Sequence, residues 1–262
     1  MSGKTDTSNT FKYYRNSFGL KVNLLGTRLL RLYFNLIYNQ VYDLITAKRR
    51  LYRELQDHCI SKLNFHDNER VLCAGVGTGN EIIRILNKNK NLNIIGVDYS
   101  KNALRKATKK ADESGVKIET SVMDLRNLSF KNEYFDKVIC IHVLDFITEY
   151  EEATAELMRI LKPQGEFVIT CPAEAENPKL AVNLIKDGLS KDTPAESSVQ
   201  RYFRIFAQIV LSVIYIPLLL RSRRKTPTRA SLADIFTNSG TRQLQIEAFP
   251  SYNDFIVFGT KL

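Results

Sequence analysis

The sequence predicts an α/β fold, a doubly wound and mostly parallel sheet that ends in an antiparallel pair of strands. Three observations predict it. Short apolar runs alternate with amphipathic stretches between residues 70 and 170, a glycine-rich turn directly follows the first run, and two apolar runs lie side by side at the end of the chain. With 262 residues, 44% hydrophobic and 25% charged, the chain has the composition of a globular protein with a sizeable core.

Seven apolar runs are the predicted strands. They are RVLCAG (70–75), LNIIGVD (92–98), VKIETSVM (116–123), DKVICIHV (136–143), GEFVIT (165–170), RQLQIEAF (242–249) and DFIVFGTKL (254–262). The first two are almost unbroken and rich in Val and Ile, which is typical of parallel strands covered on both faces. The last two are separated only by a short turn, so we expect them to form an antiparallel hairpin.

Amphipathic stretches between these runs are the predicted helices. They are EIIRILNKN, SKNALRKATKKADESG with Ser100 as N-cap, and YEEATAELMRILKPQG. Residues 1–64 read as a basic helical N-terminal extension or lid, and residues 65–262 as the main domain. Within that domain, residues 172–240 break the strand–helix rhythm and are predicted to be a helical, apolar and basic insertion that forms a second lid.

The net charge of +10 is uneven along the chain. Residues 1–53 hold ten Lys or Arg against two Asp, a balance of +8, and residues 201–225 hold six basic residues and no acid, which leaves −4 for the rest. Basic segments of this kind suit an anionic membrane or nucleic acid, and some are only solvated surface.

The cysteines and the N-terminus bear on compartment and metals. Cys59, Cys73, Cys140 and Cys171 form no CxxC pair, and no His stands at ligand spacing, so we expect reduced buried thiols and no metal site. The opening MSGKTDTSNT has no apolar signal core. The sequence therefore predicts a cytoplasmic protein, with peripheral membrane contact as an open alternative.

The stretch VLCAGVGTGN places Gly75, Gly77 and Gly79 between a strand and a helix. Glycines let the backbone approach a ligand closely, and a helix N-terminus offers free N–H groups. A dinucleotide fingerprint would need Gly at position 80, where Asn stands, and no Gly-Lys-Ser/Thr follows as a P-loop would require. The loop therefore suits a nucleoside whose phosphates are not gripped.

Two carboxylates follow the next two predicted strands. Asp98 ends the second strand, where a carboxylate can accept hydrogen bonds from both ribose hydroxyls. Asp124 comes at the end of the third, where a carboxylate can accept from a purine amine. Together with the glycine loop, these residues predict an adenosine site.

This order of motifs resembles the class I S-adenosylmethionine-dependent methyltransferases. The resemblance rests on VLCAGVGTG, GVDYS, MDL, YFDKVICIHVLDF and ELMRILKPQGEFVI, and it covers about residues 70–170, with the terminal hairpin fitting the same plan. It implies a Rossmann-like seven-stranded sheet and S-adenosylmethionine as cofactor.

The resemblance also implies a role for each matching position. Gly75, Gly77 and Gly79 would wrap the methionine part of the cofactor. Asp98 would hold the ribose, Tyr99 would pack against the adenine, and Asp124 and Leu125 would contact the adenine edge. Ile141 and His142 would lie near the sulfonium and the acceptor. His142 is the candidate base if the acceptor must lose a proton. Cys73 departs from the family pattern, which usually has Asp or Glu there to help hold the cofactor's amino end.

The two additions to the domain point to a lipophilic acceptor. Residues 205–220 read IFAQIVLSVIYIPLLL, which is shorter than the ~20 apolar residues of a membrane span, and basic residues flank them. The YNQVYDLI stretch resembles the start of quinone C-methyltransferases, and this resemblance implies that Tyr42 closes over the cofactor. The GVGTG stretch resembles phospholipid N-methyltransferases, in which it is frequent.

The sequence thus predicts a methyltransferase for a quinone, a phospholipid or another hydrophobic metabolite. Residues 201–225 and the N-terminal helices are the candidate contacts with an anionic membrane. An RNA or protein methyltransferase is an alternative that the charge suggests, but the chain has IHVLDF where amino-group base methyltransferases carry an NPPY-type stretch, which argues against nucleic acid. A non-catalytic cofactor-binding scaffold is the other alternative, supported by Cys73 alone.

Overall fold

The computed structural model describes residues 43, 50–147, 149–173, 202, 206 and 227–262. Tyr42 lies outside these ranges, and so do the helices predicted before residue 43. Most of the 172–240 insertion lies outside them as well. Among the residues described, no helix is both long and apolar enough to cross a bilayer. The proposed division of the chain at residues 64 and 65 stays a prediction.

A single seven-stranded sheet organises the described chain. Its strands are β1 (Arg70–Ala74), β2 (Asn93–Asp98), β3 (Glu119–Val122), β4 (Phe135–Cys140), β5 (Leu161–Pro172), β6 (Thr241–Phe249) and β7 (Asp254–Lys261). They lie in the order β3-β2-β1-β4-β5-β7-β6. All pairs from β3 to β5 are parallel, whereas β7 is antiparallel to both β5 and β6. The predicted fold class is confirmed.

Five α-helices cover the sheet in the described ranges. They are α1 (Arg50–Ile60), α2 (Asn80–Leu86), α3 (Lys101–Glu113), α4 (Tyr150–Ile160) and α5 (Arg229–Asn238). The predicted cap of α3 is confirmed, because the Ser100 hydroxyl accepts a hydrogen bond from the N–H of Ala103 at 3.2 Å. A 3₁₀ turn over Leu144–Phe146 follows β4.

Strand alternation divides the core into two clusters, one on each face of the sheet. Successive side chains of a strand point to opposite faces. Leu72 of β1 therefore packs with Leu157 of α4 and Phe236 of α5, while Val71 packs with Leu55 of α1 and with residues of α2. Both faces are covered, which explains the near-continuous apolar runs of β1 and β2.

Helix α5 belongs to this core although the sequence analysis grouped its residues with the insertion. Leu232 and Phe236, four residues apart on one face of the helix, are 1% and 0% exposed. The Phe236 ring stacks on Phe167 of β5, with centroids 5.5 Å apart. The final turns of the 172–240 segment therefore continue the strand–helix alternation. The sequence missed this because prolines and polar residues separate the helix from β5.

Several strand boundaries also differ from the sequence prediction. Strand β4 ends at Cys140, three residues before the end of the predicted run 136–143. Strand β3 is shorter than the run 116–123, and its side chains are only partly buried because it lies at the edge of the sheet. Strand β5 begins at Leu161, so the LKPQG stretch leaves the helix earlier than its amphipathic pattern indicates. Gln164, with φ of 61°, has a left-handed backbone where the pairing of β4 with β5 shifts register, between the pairs Phe135–Leu161 and Lys137–Glu166.

Candidate cofactor and acceptor site

The predicted site residues meet at one edge of the sheet. Strands β2, β1, β4 and β5 are parallel neighbours, so their carboxyl ends lie side by side. Open parallel sheets bind ligands in the crevice outside these ends. The segments that leave the four strands there contain the glycine loop, Asp98, His142 and Pro172.

All three glycines of the loop have the left-handed backbone that favours glycine, but their surroundings differ. Gly75, Gly77 and Gly79 have φ of 69°, 52° and 81°. A Cβ on Gly75 would lie 2.2 Å from Val143 Cγ2, and one on Gly79 would lie 2.8 Å from Ala107 Cβ. Around Gly77 the nearest atom would be the Gly75 carbonyl oxygen at 4.0 Å. Gly75 and Gly79 are thus needed for packing, whereas the side of Gly77 that would bear a Cβ is open.

Asp98 ties the glycine loop to the end of β2. Its Oδ2 accepts the N–H of Gly77 at 2.9 Å, and its Oδ1 accepts the N–H of Ser100 at 2.7 Å. Burial raises the pKa of Asp98 to about 6, against the lowering effect of these N–H groups. A carboxylate has about four acceptor positions, so hydroxyls of a ribose can still be accepted there. The predicted ribose role of Asp98 fits this geometry.

Asp124 lies two residues beyond the end of β3, where it is engaged by Arg126. Arg126 Nε donates to Oδ1 at 3.0 Å and Nη2 donates to Oδ2 at 2.6 Å, while Nη1 reaches Glu149 at 3.0 Å. The hydrogen bond to Asp124 raises the pKa of Arg126. An adenine amine would therefore share this carboxylate with a guanidinium. Arg126 was not among the predicted site residues, although the D-x-R spacing of Asp124 and Arg126 was an available signal.

The apolar members of the predicted site are mostly in the core. Leu125 and Ile141 are 5% and 6% exposed and belong to the two opposite core clusters. Any contact of Leu125 with adenine would therefore come through its backbone. Tyr99 is half-buried, and its hydroxyl oxygen is buried.

His142 lies against two tyrosine rings and a buried carboxylate that the sequence did not predict. Its Nε2 lies 3.0 Å from Oδ2 of Asp254, the buried first residue of β7. Its ring centroid lies 4.6 Å from that of Tyr252 and 5.6 Å from that of Tyr52 on α1. The residue has φ of 56°, an uncommon backbone for a residue other than glycine, and its N–H donates to Thr170 Oγ1 at 2.8 Å. The backbone and both flanking elements thus fix where the imidazole lies.

A buried acid lies beside the position where the acid of the family pattern is missing. Cys73 is fully buried near the end of β1. Glu81, in the first turn of α2, is 9% exposed, and its charge helps to raise the pKa of the Cys73 thiol, after burial. Burial raises the pKa of Glu81 itself to about 8, and the negative charge of Asp98 adds to the effect. The site therefore keeps a second acid near Asp98 despite Cys73.

The pKa of Glu81 predicts a pH dependence of stability. A folded-state pKa of about 8 against 4.5 in a model peptide means that the folded state holds the proton more tightly, so this group's contribution to stability is lost as pH rises toward 8. Since Asp98 is largely ionised above pH 6, Glu81 is the one of these two acids that still loses its proton between pH 6 and 8. Glu81→Gln should flatten the decline in unfolding free energy over that window, measured by urea unfolding.

The matched control for this experiment is Glu113→Gln. Glu113 lies on the surface of α3 and pairs with Lys109 at 3.7 Å. Its substitution should leave the pH dependence of the unfolding free energy as in the wild type. Equal slopes in Glu81→Gln and the wild type would contradict the assignment of a raised pKa to Glu81.

Comparison with known proteins matches the same part of the chain. Residues 71–165 match the family model described as methyltransferase domain. A phosphatidylethanolamine N-methyltransferase of Cereibacter sphaeroides is 33% identical over 102 residues, which are 38% of this chain and 49% of that protein. The ubiquinone/menaquinone biosynthesis C-methyltransferase UbiE of Bordetella parapertussis is 28% identical over 134 residues, 50% of this chain and 51% of that protein. The chain spans about half the length of these two relatives.

Among solved structures, magnesium protoporphyrin IX methyltransferase (ChlM) of Synechocystis PCC 6803 with bound S-adenosylhomocysteine has a TM-score of 0.61. It is 17% identical, over 90% of this chain and 99% of that one, and this likeness bears on the fold. The sequence matches confirm the resemblance on the residues that they cover. Residues 71–165 are a methyltransferase domain of the class I superfamily, and the cofactor of this domain is S-adenosylmethionine.

Proposed function

We propose that the whole chain transfers a methyl group from S-adenosylmethionine to a small lipophilic acceptor. The cofactor, when bound, supplies an electrophilic methyl group on a sulfonium, and the protein's task is to align the acceptor with it and to exclude water. The glycine loop, Asp98 and Asp124 would hold the cofactor, while the pocket around His142 would hold the acceptor.

The observation that carries this proposal is the group of aromatic rings where β4 ends and β7 begins. The rings of Tyr52 and Tyr252 flank His142, and their centroids lie 5.8 Å from each other. Pockets for small hydrophobic ligands are lined by aromatic side chains with a few placed polar groups. The relatives support the same class of acceptor, because their names specify phosphatidylethanolamine in one case and ubiquinone or menaquinone biosynthesis in the other.

Peripheral contact with an anionic membrane is the second part of the proposal. Tyr202 and Phe206 are helical and four residues apart, so they share one face, and they are 77% and 65% exposed. Two exposed aromatics within a segment of charge +6 suit the interface of an anionic bilayer. A lipophilic acceptor would reach the site from such a surface.

A transfer assay with vesicles tests the proposal. The protein is incubated with methyl-labelled S-adenosylmethionine and vesicles that contain either phosphatidylethanolamine or a demethylated isoprenoid quinone, with and without an anionic lipid. We expect label in the lipid extract of one acceptor and faster transfer on anionic vesicles. Tyr202→Ser with Phe206→Ser should remove the anionic advantage, whereas Leu262→Ser, at an exposed apolar residue of the C-terminus, should keep it. Label found only in added RNA or protein would contradict the proposal.

His142 is the candidate base for an acceptor that must lose a proton, such as a phenol or an activated ring carbon. Asp254, 3.0 Å from Nε2, would orient the ring and stabilise its protonated form. With such an acceptor, His142→Gln should lower turnover by about 10²–10⁴-fold at unchanged cofactor affinity, measured by initial rates.

The control is a second histidine with the same kind of partner. His58 Nε2 lies 3.0 Å from Glu247 Oε2, between α1 and β6, and His58→Gln should leave the turnover within a few-fold of the wild type on the ordinary scale of surface substitutions. Full turnover in His142→Gln would rule out its role as base.

A further inference from the structure

We infer that Asp43 is a positioning residue for the cofactor: it acts as a clamp on the glycine loop, so that cofactor binding and the contact between Asp43 and the loop depend on each other. The inference rests on the proposed function, because it assigns the loop to the cofactor. It concerns Asp43 and Lys110, neither of which was a predicted site residue.

The clamp is a compact polar network with Asp43 at its centre. Asp43 Oδ1 accepts hydrogen bonds from the Thr78 hydroxyl at 2.6 Å, from Lys110 Nζ at 2.8 Å and from Asn80 Nδ2 at 3.2 Å. Lys110 also donates to Asn80 Oδ1 at 2.7 Å and to the Thr78 hydroxyl at 3.2 Å. Each of the four side chains therefore bonds at least two others, which makes the network closed.

The network is protected from solvent and stays charged. Thr78 is 1% exposed, and the side chains of Asp43 and Lys110 are 28% and 26% exposed. Burial alone would raise the pKa of Asp43, but the hydrogen bonds from Lys110 and Thr78, with the charge of Lys110, hold it below its usual range. A half-buried ion pair with several hydrogen bonds fixes geometry better than an exposed pair does.

The position of the network on the loop gives it a role in binding. Thr78 and Asn80 flank Gly79, and Gly77 one residue earlier is held by Asp98. Helix α3 contributes Lys110 and also Ala107, one turn apart on the same face, and Ala107 leaves no room for a Cβ on Gly79. The loop is thus held by two carboxylates from distant parts of the chain, Asp98 on the side of the predicted ribose site and Asp43 from the N-terminal segment.

This arrangement connects the N-terminal segment to the site. Asp43 lies 35 residues before Thr78 in the chain. Tyr42, the sequence's candidate for closing over the cofactor, is its immediate neighbour and lies outside the described residues. A cofactor that stabilises the conformation of the loop therefore also stabilises the contact between Asp43 and the loop.

The test compares Asp43→Asn and Lys110→Met with the matched control Lys109→Met. Lys109 is the preceding residue of α3, its side chain is 78% exposed, and it forms an ion pair with Glu113 at 3.7 Å. Two quantities are measured with S-adenosylhomocysteine: the Kd by calorimetry, and the rate of trypsin cleavage in the basic stretch that ends at Arg50. A purely structural role would change the melting temperature but neither of these.

We expect the wild type and Lys109→Met to bind S-adenosylhomocysteine equally, and saturating S-adenosylhomocysteine to slow their cleavage near Arg50. Asp43→Asn and Lys110→Met should each raise the Kd about tenfold, and saturation should no longer slow cleavage. The double variant should bind about as weakly as either single variant, because both break one network.

Two results would overturn the inference, and a third would overturn the proposed function on which it rests. Unchanged Kd and unchanged protection in Asp43→Asn would refute the clamp, and so would a lower melting temperature with the Kd intact. If Asp43→Asn does not fold, Lys110→Met decides between the same outcomes. Absence of binding by the wild type would instead refute the proposed function on which the inference rests.

Discussion

The hydrogen bond between the N–H of Gly77 and the carboxylate of Asp98 connects the two parts on which the site depends. It joins the loop after β1 to the end of β2 at 2.9 Å. It also holds Gly77 at φ of 52°, where a Cβ would have no atom closer than the Gly75 carbonyl oxygen at 4.0 Å. The sheet brings the two strands together, since Cys73 pairs with Gly96 and Ala74 with Val97 in parallel register. Core packing, loop conformation and the predicted ribose site therefore share one geometric constraint.

The electrostatics around this bond suit a cationic ligand. Asp98 and Glu81 both have pKa values raised by burial, to about 6 and about 8, and the negative charge of Asp98 makes ionisation of Glu81 still less favourable. A ligand with an ammonium and a sulfonium would relieve that cost by favouring the ionised forms. In this chain the second acid comes from helix α2 instead of from the strand position occupied by Cys73. The presence of Cys73 in place of an acid was the only support for a non-catalytic scaffold. Because Glu81 supplies a nearby acid, Cys73 supports that alternative less than the sequence indicated.

Local pattern carried most of the fold prediction. The Val- and Ile-rich runs, the Ser100 cap and the terminal hairpin follow from periodicity and turn chemistry, and the structure contains each of them. Helix α5 was missed because its burial depends on β5 and β6, not on its own mixed sequence. The site prediction was incomplete for the same reason, because several contacts of the site join residues that are far apart in the sequence. Asp43 and Lys110 are 67 residues apart, and Asp254 reaches His142 only because β7 inserts between β5 and β6.

The measurement that tests the central claim most directly is calorimetric titration of S-adenosylhomocysteine into the wild type, Gly77→Ala and Gly240→Ala. Both glycines have positive φ, 52° and 78°, and neither would bring a Cβ within 4 Å of a side chain, so the two substitutions impose a similar backbone strain of roughly 1 kcal/mol. The account predicts binding by the wild type and by Gly240→Ala, and at least a tenfold weaker affinity in Gly77→Ala, whose methyl group would enter the open side of the loop. Equal affinity in all three proteins, or no binding by the wild type, would contradict the claim that this loop holds the cofactor.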